Sequence, residues 1–233
     1  MKYQAVLFDL DGTLLPMDAD RFMEIYFKDI AAMVTPLGYN PKKVLKALWA
    51  GVEAMVNNDG SRTNEVVFWQ VFAGAFDKDV RELIPLFDNY YANDFGHTAA
   101  ACQLSDESLL LIRELQKRGY RLICATNPIF TSVATRQRLA WVGLSFADFE
   151  LVTTYENCGF AKPNPAYYRY IAEKCNLDMN KCLMVGNDVD EDMIAGELSF
   201  AVYLADRYLL NKHNKDISAF KKGDLAELLT ILD

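Results

Sequence analysis

Tyr3-Gln4-Ala5-Val6-Leu7-Phe8, followed at once by Asp9-Leu10-Asp11-Gly12-Thr13-Leu14, is the stretch on which the reading of the fold turns. The first six residues form an almost continuous apolar run, as expected of a strand buried on both faces of a parallel sheet. Two carboxylates, one residue apart, then leave the end of that strand and enter a glycine turn. In α/β sheets the ligand site lies outside the carboxyl ends of the strands, where these aspartates fall. A turn that takes Asp and Gly for its own geometry explains either aspartate singly, but explains both poorly beside so apolar a strand.

Similar runs recur at 121–125 (RLICA), 181–185 (KCLMV) and 201–205 (AVYLA), with a weaker one at 149–153. Helical patterns separate them. Ser105, Asp106 and Glu107 open a segment with Leu109, Ile112 and Leu115 on one face, and Lys117 and Arg118 precede the stop at Gly119. Asn164-Pro165 opens another, with Tyr168, Ile171 and Cys175 at helical spacing. The alternation predicts an α/β fold with a doubly wound, Rossmann-like parallel sheet.

The interval after the first strand is different. Four helical patterns fill it: Phe22/Tyr26/Ile30/Met33, Leu45/Leu48/Val52/Met55 capped by Asn40-Pro41, Phe68/Phe72/Phe76, and Val80/Leu83/Phe87/Tyr90. Such helices can bury their stripes against one another, which predicts an inserted α-helical cap domain at 16–100, with 1–15 plus 101–233 as the α/β core. The competing arrangement has the same helices covering the sheet. Phe22, Tyr26, Trp49, Phe68, Trp69 and Phe72 are read as bundle core rather than as a pocket.

The apolar fraction of 52% is enough for a proper core and excludes a disordered chain. With 24 Lys plus Arg against 32 Asp plus Glu, the net charge of −8 opposes nucleic acid and anionic membrane as partners. No run approaches a membrane span and no leader is evident at the start, so a cytoplasmic protein is expected. The five cysteines are scattered without CxxC spacing, and the two histidines, His97 and His213, lie far apart. Neither a zinc site nor a Ser/His/Asp triad is signalled.

Asp9 to Thr13 match the DxDGT motif of the haloacid dehalogenase superfamily, which the chain resembles. Three further motifs of that superfamily follow in order: Thr126 in Cys124-Ala125-Thr126-Asn127, Lys162 in Ala161-Lys162-Pro163, and the acidic run Gly186-Asn187-Asp188-Val189-Asp190-Glu191-Asp192. Four ordered motifs are far more specific than one. The resemblance implies that Asp9 attacks phosphorus and that Asp11 serves as general acid and then general base. It also implies Mg²⁺, held by the Asp9 carboxylate, the Asp11 backbone carbonyl and an acidic residue of the fourth motif, with Thr126 and Lys162 holding phosphoryl oxygens.

The fourth motif departs from the usual Gly-Asp, and Asn187 and Asp188 compete for the metal-facing position. An anionic oxygen suits Mg²⁺ better, which favours Asp188; Asp192, one helical turn on, then reaches Lys162 or a metal-bound water. Asp190 and Glu191 are expected to face solvent. Asn127 either shapes the strand-end turn and touches substrate or caps the helix that follows. Asp18 is explained by helix initiation, and Lys212, Lys215, Lys221 and Lys222 as a solvated face.

The expected activity is hydrolysis of a small phosphorylated metabolite, as in the subgroup containing phosphoglycolate phosphatase and β-phosphoglucomutase. A phosphomutase and a catalytically silent binding protein are the alternatives. Displacement of halide needs neither Asp11 nor an acidic fourth motif, so a dehalogenase is disfavoured.

Overall fold

The computed structural model describes residues 2–76 and 79–232. Positions 1, 77, 78 and 233, which belong to the two stretches assigned above, lie outside the described residues. The strand β1 (Ala5–Phe8) occupies the middle of a six-stranded sheet of order β3-β2-β1-β4-β5-β6, in which every pairing is parallel. Its neighbours are β2 (Arg121–Cys124) and β4 (Cys182–Gly186); β3 (Leu151–Val152), β5 (Ala201–Ala205) and β6 (Lys221–Gly223) complete the sheet.

The continuous apolar run of β1 has a direct packing cause. Ala5 and Leu7 join one core layer, with Ile123, Met184 and helix α7 (Pro165–Lys174), while Val6 and Phe8 join the opposite layer with Leu122, Cys124 and Val185. Both faces are covered, so no position in the strand is left for a polar residue. The polar residues begin where the strand ends, at Asp9.

Helices α1 (Ala19–Val34), α2 (Pro41–Val56), α3 (Asn64–Gly74) and α4 (Leu83–Asn93) occupy the interval between β1 and β2. They pack chiefly on one another and on the 95–101 turn rather than on the strands. Asp18, Asn40 and Thr63 cap the first three through side-chain oxygens that accept N–H groups of the first turn. The fourth begins at Leu83, so Val80, placed in the helical stripe on sequence, lies in the turn before it. Helix α5 (Glu107–Lys117) precedes β2, α6 (Ser132–Trp141) follows it, and α8 (Leu228–Leu232) closes the chain.

The sixth strand was not expected. Lys221-Lys222-Gly223 has no strand character of its own, and its two lysines stand exposed on the sheet edge, where charge suits an unpaired edge. Among the described residues no helix is long and apolar enough to cross a membrane.

Candidate active site

The parallel sheet delivers the singled-out residues to one edge. Asp9 follows β1, Thr126 lies two residues beyond β2, and Asn187 and Asp188 follow β4. Lys162 precedes α7. A cavity of about 170 Å³ is lined by Asp9, Asp11, Thr126, Asn127, Asp188 and Asp192, among others.

Lys162 is fully buried, and its ammonium bridges two carboxylates, 2.7 Å from Asp9 Oδ1 and 2.6 Å from Asp192 Oδ1. Burial opposes its charge, but Asp192 and Asp9 more than offset that and raise its pKa well above the ordinary lysine value. The lysine is therefore a permanent cation. Burial likewise pushes the Asp192 carboxyl up, with the Lys162 charge pulling the other way. The second oxygen of Asp192 accepts the Asp188 N–H at 3.0 Å, which pins the acidic loop. Gly186 makes this possible: a Cβ there would lie 2.1 Å from Asp192 Oδ2.

Asp11 is held differently. Its Oδ2 accepts from the guanidinium of Arg138, a buried residue of α6, and its Oδ1 is buried without a hydrogen-bond partner. Burial raises the Asp11 pKa; Arg138 and Lys162 oppose this and Asp9 adds to it, leaving the carboxyl above its ordinary value. Such a carboxyl is poised to carry a proton. Gly12 turns the chain at φ +85°, and a Cβ there would lie 2.3 Å from Asn187 Nδ2.

Asn187 is fully engaged: its Nδ2 donates to the Tyr208 carbonyl at 2.6 Å and its Oδ1 accepts from Thr13 Oγ1 at 3.1 Å. Asp188 spends one oxygen on the N–H groups of Asp190 and Glu191, at 2.8 and 3.0 Å. Asn127 does not cap α6, since Thr131 Oγ1 accepts the Ala134 N–H there. It tethers loops instead: Oδ1 accepts the Lys162 N–H at 3.2 Å and Nδ2 donates to Glu191 at 2.9 Å. Thr126 is buried, and its carbonyl accepts from Thr153 and Tyr167.

The solvent-facing expectation is corrected for Glu191, whereas Asp190 stays at the surface among exposed side chains. Glu191 lines the cavity, and burial pushes its carboxyl up to about 7, against the pull of Lys162. Asp190 is largely covered by His213, 2.9 Å away, and Lys215, 2.6 Å away. Glu191 turns inward where the segment coils back over the Asp188 carboxylate, which accepts both residues' backbone N–H groups. Of the residues read as a solvated face, Lys215 is thus paired and Lys212 lines the cavity.

Two residues with evident parts in the site escaped the sequence reading. Thr13 donates from one hydroxyl toward Asp9 and Asn187. Arg138 holds Asp11, donates to Thr135 Oγ1 at 3.0 Å and lies over the Phe130 ring at 4.6 Å from its centroid. An arginine next to Leu139 on the face that α6 buries was the readable signal.

Five carboxylates line the cavity, with the buried Lys162 ammonium against two of them, and the donors are hard oxygens, the set that suits Mg²⁺. Among the described residues no three His, Cys, Asp or Glu side chains already converge as a metal-holding group. An ion there would draw on backbone carbonyl and water oxygens besides carboxylates.

A doubly wound parallel sheet whose central strand ends in paired aspartates, one bridged by a buried lysine, defines a hydrolase of the haloacid dehalogenase type. The comparison with known proteins agrees: residues 3–199 match the haloacid dehalogenase-like hydrolase family, and the chain belongs to it. It is 29% identical over 210 residues to the phosphoglycolate phosphatase of Neisseria gonorrhoeae, covering 85% of this chain and 79% of that protein. Its identity to the Neisseria meningitidis phosphoglycolate phosphatase is 27%, covering 97% and 92%. The Bacillus subtilis putative HAD-hydrolase YfnB, solved bound to magnesium, superposes with a TM-score of 0.60 at 20% identity, covering 100% and 99%.

Proposed function

We propose that the chain is a Mg²⁺-dependent phosphatase that hydrolyses a small phosphomonoester through a phosphorylated Asp9. The observation carrying this reading is the Lys162 ammonium, 2.7 Å from Asp9 Oδ1 and 2.6 Å from Asp192. It sets a buried positive charge against Asp9 in a pocket whose lining is otherwise chiefly anionic. The phosphatase names of the Neisseria relatives and the magnesium of the Bacillus structure support it.

Asp9 attacks phosphorus, the ester P–O bond breaks, and the leaving oxygen takes the proton of Asp11 to depart as an alcohol. Asp11, now a carboxylate, takes a proton from water as the water oxygen attacks the same phosphorus. The Asp9–phosphorus bond then breaks, and inorganic phosphate leaves with both aspartates restored. Thr126 and Lys162 bind the non-bridging oxygens, and Asn127 keeps the lysine loop against the strand end.

Asp9, the Asp11 carbonyl and Asp188 are the donors we assign to the ion. Asn187 has spent both its amide groups, and Asp192 supports from behind through Lys162. When bound, Mg²⁺ neutralises phosphoryl charge and orients the group for in-line attack. Residues 1–15 with 101–233 form the catalytic core in this reading, and 16–100 the cap over it. All five cysteines are free thiols, which agrees with a reducing, cytoplasmic setting.

Purified protein is expected to release inorganic phosphate from an aryl phosphate with Mg²⁺ and to stop when EDTA removes the ion. Asp9→Asn is expected to lower kcat by roughly 10³-fold or more while circular dichroism stays unchanged. Undiminished turnover by that variant would overturn the assignment.

A further inference from the structure

A second cavity, of about 130 Å³, lies inside the helical unit and against the loop that follows β2. None of its fourteen lining residues carries a charge. Its few polar groups have partners at hand: the Tyr26 and Tyr91 hydroxyls bond each other at 2.7 Å, Trp69 donates to Tyr155, and Thr131 caps α6. What remains to meet a ligand is hydrocarbon and ring, from Leu48, Trp49, Phe68 and Trp69.

This space adjoins the catalytic cavity. Ile129 and Phe130 line both, and they stand three and four residues after Thr126. Each is only partly buried, as a side chain between two spaces must be. Trp49, on the outer helix α2, is 53% exposed although it lines the cavity, an unusual position for an indole. In size the cavity is close to the roughly 150 Å³ apolar cavity that takes up benzene, so it admits one ring or a chain of about six carbons.

A carboxylate-bearing leaving group such as glycolate would find no cation in this space. Buried charge without a partner is strongly disfavoured, whereas a hydrocarbon gains by leaving water. We propose that this cavity takes an apolar leaving group, so that the substrate is an alkyl or aryl phosphomonoester with its phosphoryl group beside Asp9 and its hydrocarbon body beyond Ile129 and Phe130. The inference rests on the phosphatase reading and adds the chemical class of the substrate.

The test compares hexyl phosphate with ethyl phosphate, whose leaving groups are of nearly equal basicity, and with 2-phosphoglycolate. We expect kcat/KM for hexyl phosphate to exceed both of the others at least tenfold. Val52→Trp, which places an indole in the cavity, should collapse the hexyl-to-ethyl ratio toward one. Binding is read separately from turnover. Hexylphosphonate should shift tryptophan emission to the blue as Trp49 loses water, at least tenfold more tightly than ethylphosphonate, with inorganic phosphate competing. Equal rates on the two alkyl esters, or a preference for 2-phosphoglycolate, overturns the inference and leaves the phosphatase reading standing. Phosphate release from none of the esters overturns that reading and the inference with it.

Discussion

Asp11 is subject to opposing influences, and the balance between them has a measurable consequence. Burial and the neighbouring Asp9 raise its pKa, while Arg138 lowers it. Removing the guanidinium therefore raises it further and moves the alkaline limb of kcat/KM, where the acid loses its proton, to higher pH. Arg138→Met should show this shift together with a stability loss of about 3 kcal/mol from the broken buried pair, and Arg138→Lys should largely restore the profile. A stability loss with an unmoved pH profile would reduce Arg138 to a packing residue. Glu191 gives a second prediction. Its carboxyl is raised from an ordinary 4.5 to about 7, so between those values the folded protein keeps a proton the unfolded chain has lost, and stability falls as pH rises through the window. In EDTA, Glu191→Gln should melt higher than the parent at pH 8, by on the order of 2 kcal/mol, and equally near pH 4. A difference independent of pH would contradict it. Asp9 and Asp11 were legible in the sequence because their signal is local, carboxylates at the end of an apolar strand. Arg138, Thr13 and the inward turn of Glu191 depend on which face of a segment meets which neighbour, and adjacency in the chain does not encode that.

The loops are joined by one residue of the helical unit. Asn64, at the start of α3, is fully buried; its Nδ2 donates to the Pro128 carbonyl at 3.0 Å and the Phe160 carbonyl at 3.2 Å, and its Oδ1 accepts from Asn58 at 2.8 Å. Pro128 follows Asn127 and Phe160 lies two residues before Lys162, so this amide fastens helix α3 to two loops of the candidate site. Asn64→Ala removes three hydrogen bonds and should cost about 2–3 kcal/mol in urea unfolding, with a fall in kcat larger than any rise in KM. A loss under 0.5 kcal/mol, roughly that of an ordinary surface change, would show that the loops stand without it. Five strands and the four inserted helices could be read from period and caps, because each buries a stripe or a whole run. The edge strand Lys221–Gly223 could not, since its pairing with β5 is supplied by the sheet and not by its own residues. The capping of α6 by Thr131 rather than Asn127 turned on four residues of loop whose path only tertiary contacts determine.

At the scale of the whole molecule, a chain of net charge −8 has to admit a phosphate dianion. A buried ammonium and hard oxygen donors are concentrated at the one sheet edge where β1, β2 and β4 end, and the proposed reading has the phosphoryl group enter there. The most direct check is to ask where phosphorus becomes attached. In the proposed mechanism a phenolate leaves an aryl phosphate without needing a proton, whereas hydrolysis of the phosphorylated enzyme would need the Asp11 base, so Asp11→Asn should accumulate the covalent species. Acid quenching during turnover, borohydride reduction of the acyl phosphate and peptide mass spectrometry then locate it. The account predicts homoserine at position 9 and at no other carboxylate; phosphate released by the parent enzyme with the label on another residue would contradict it.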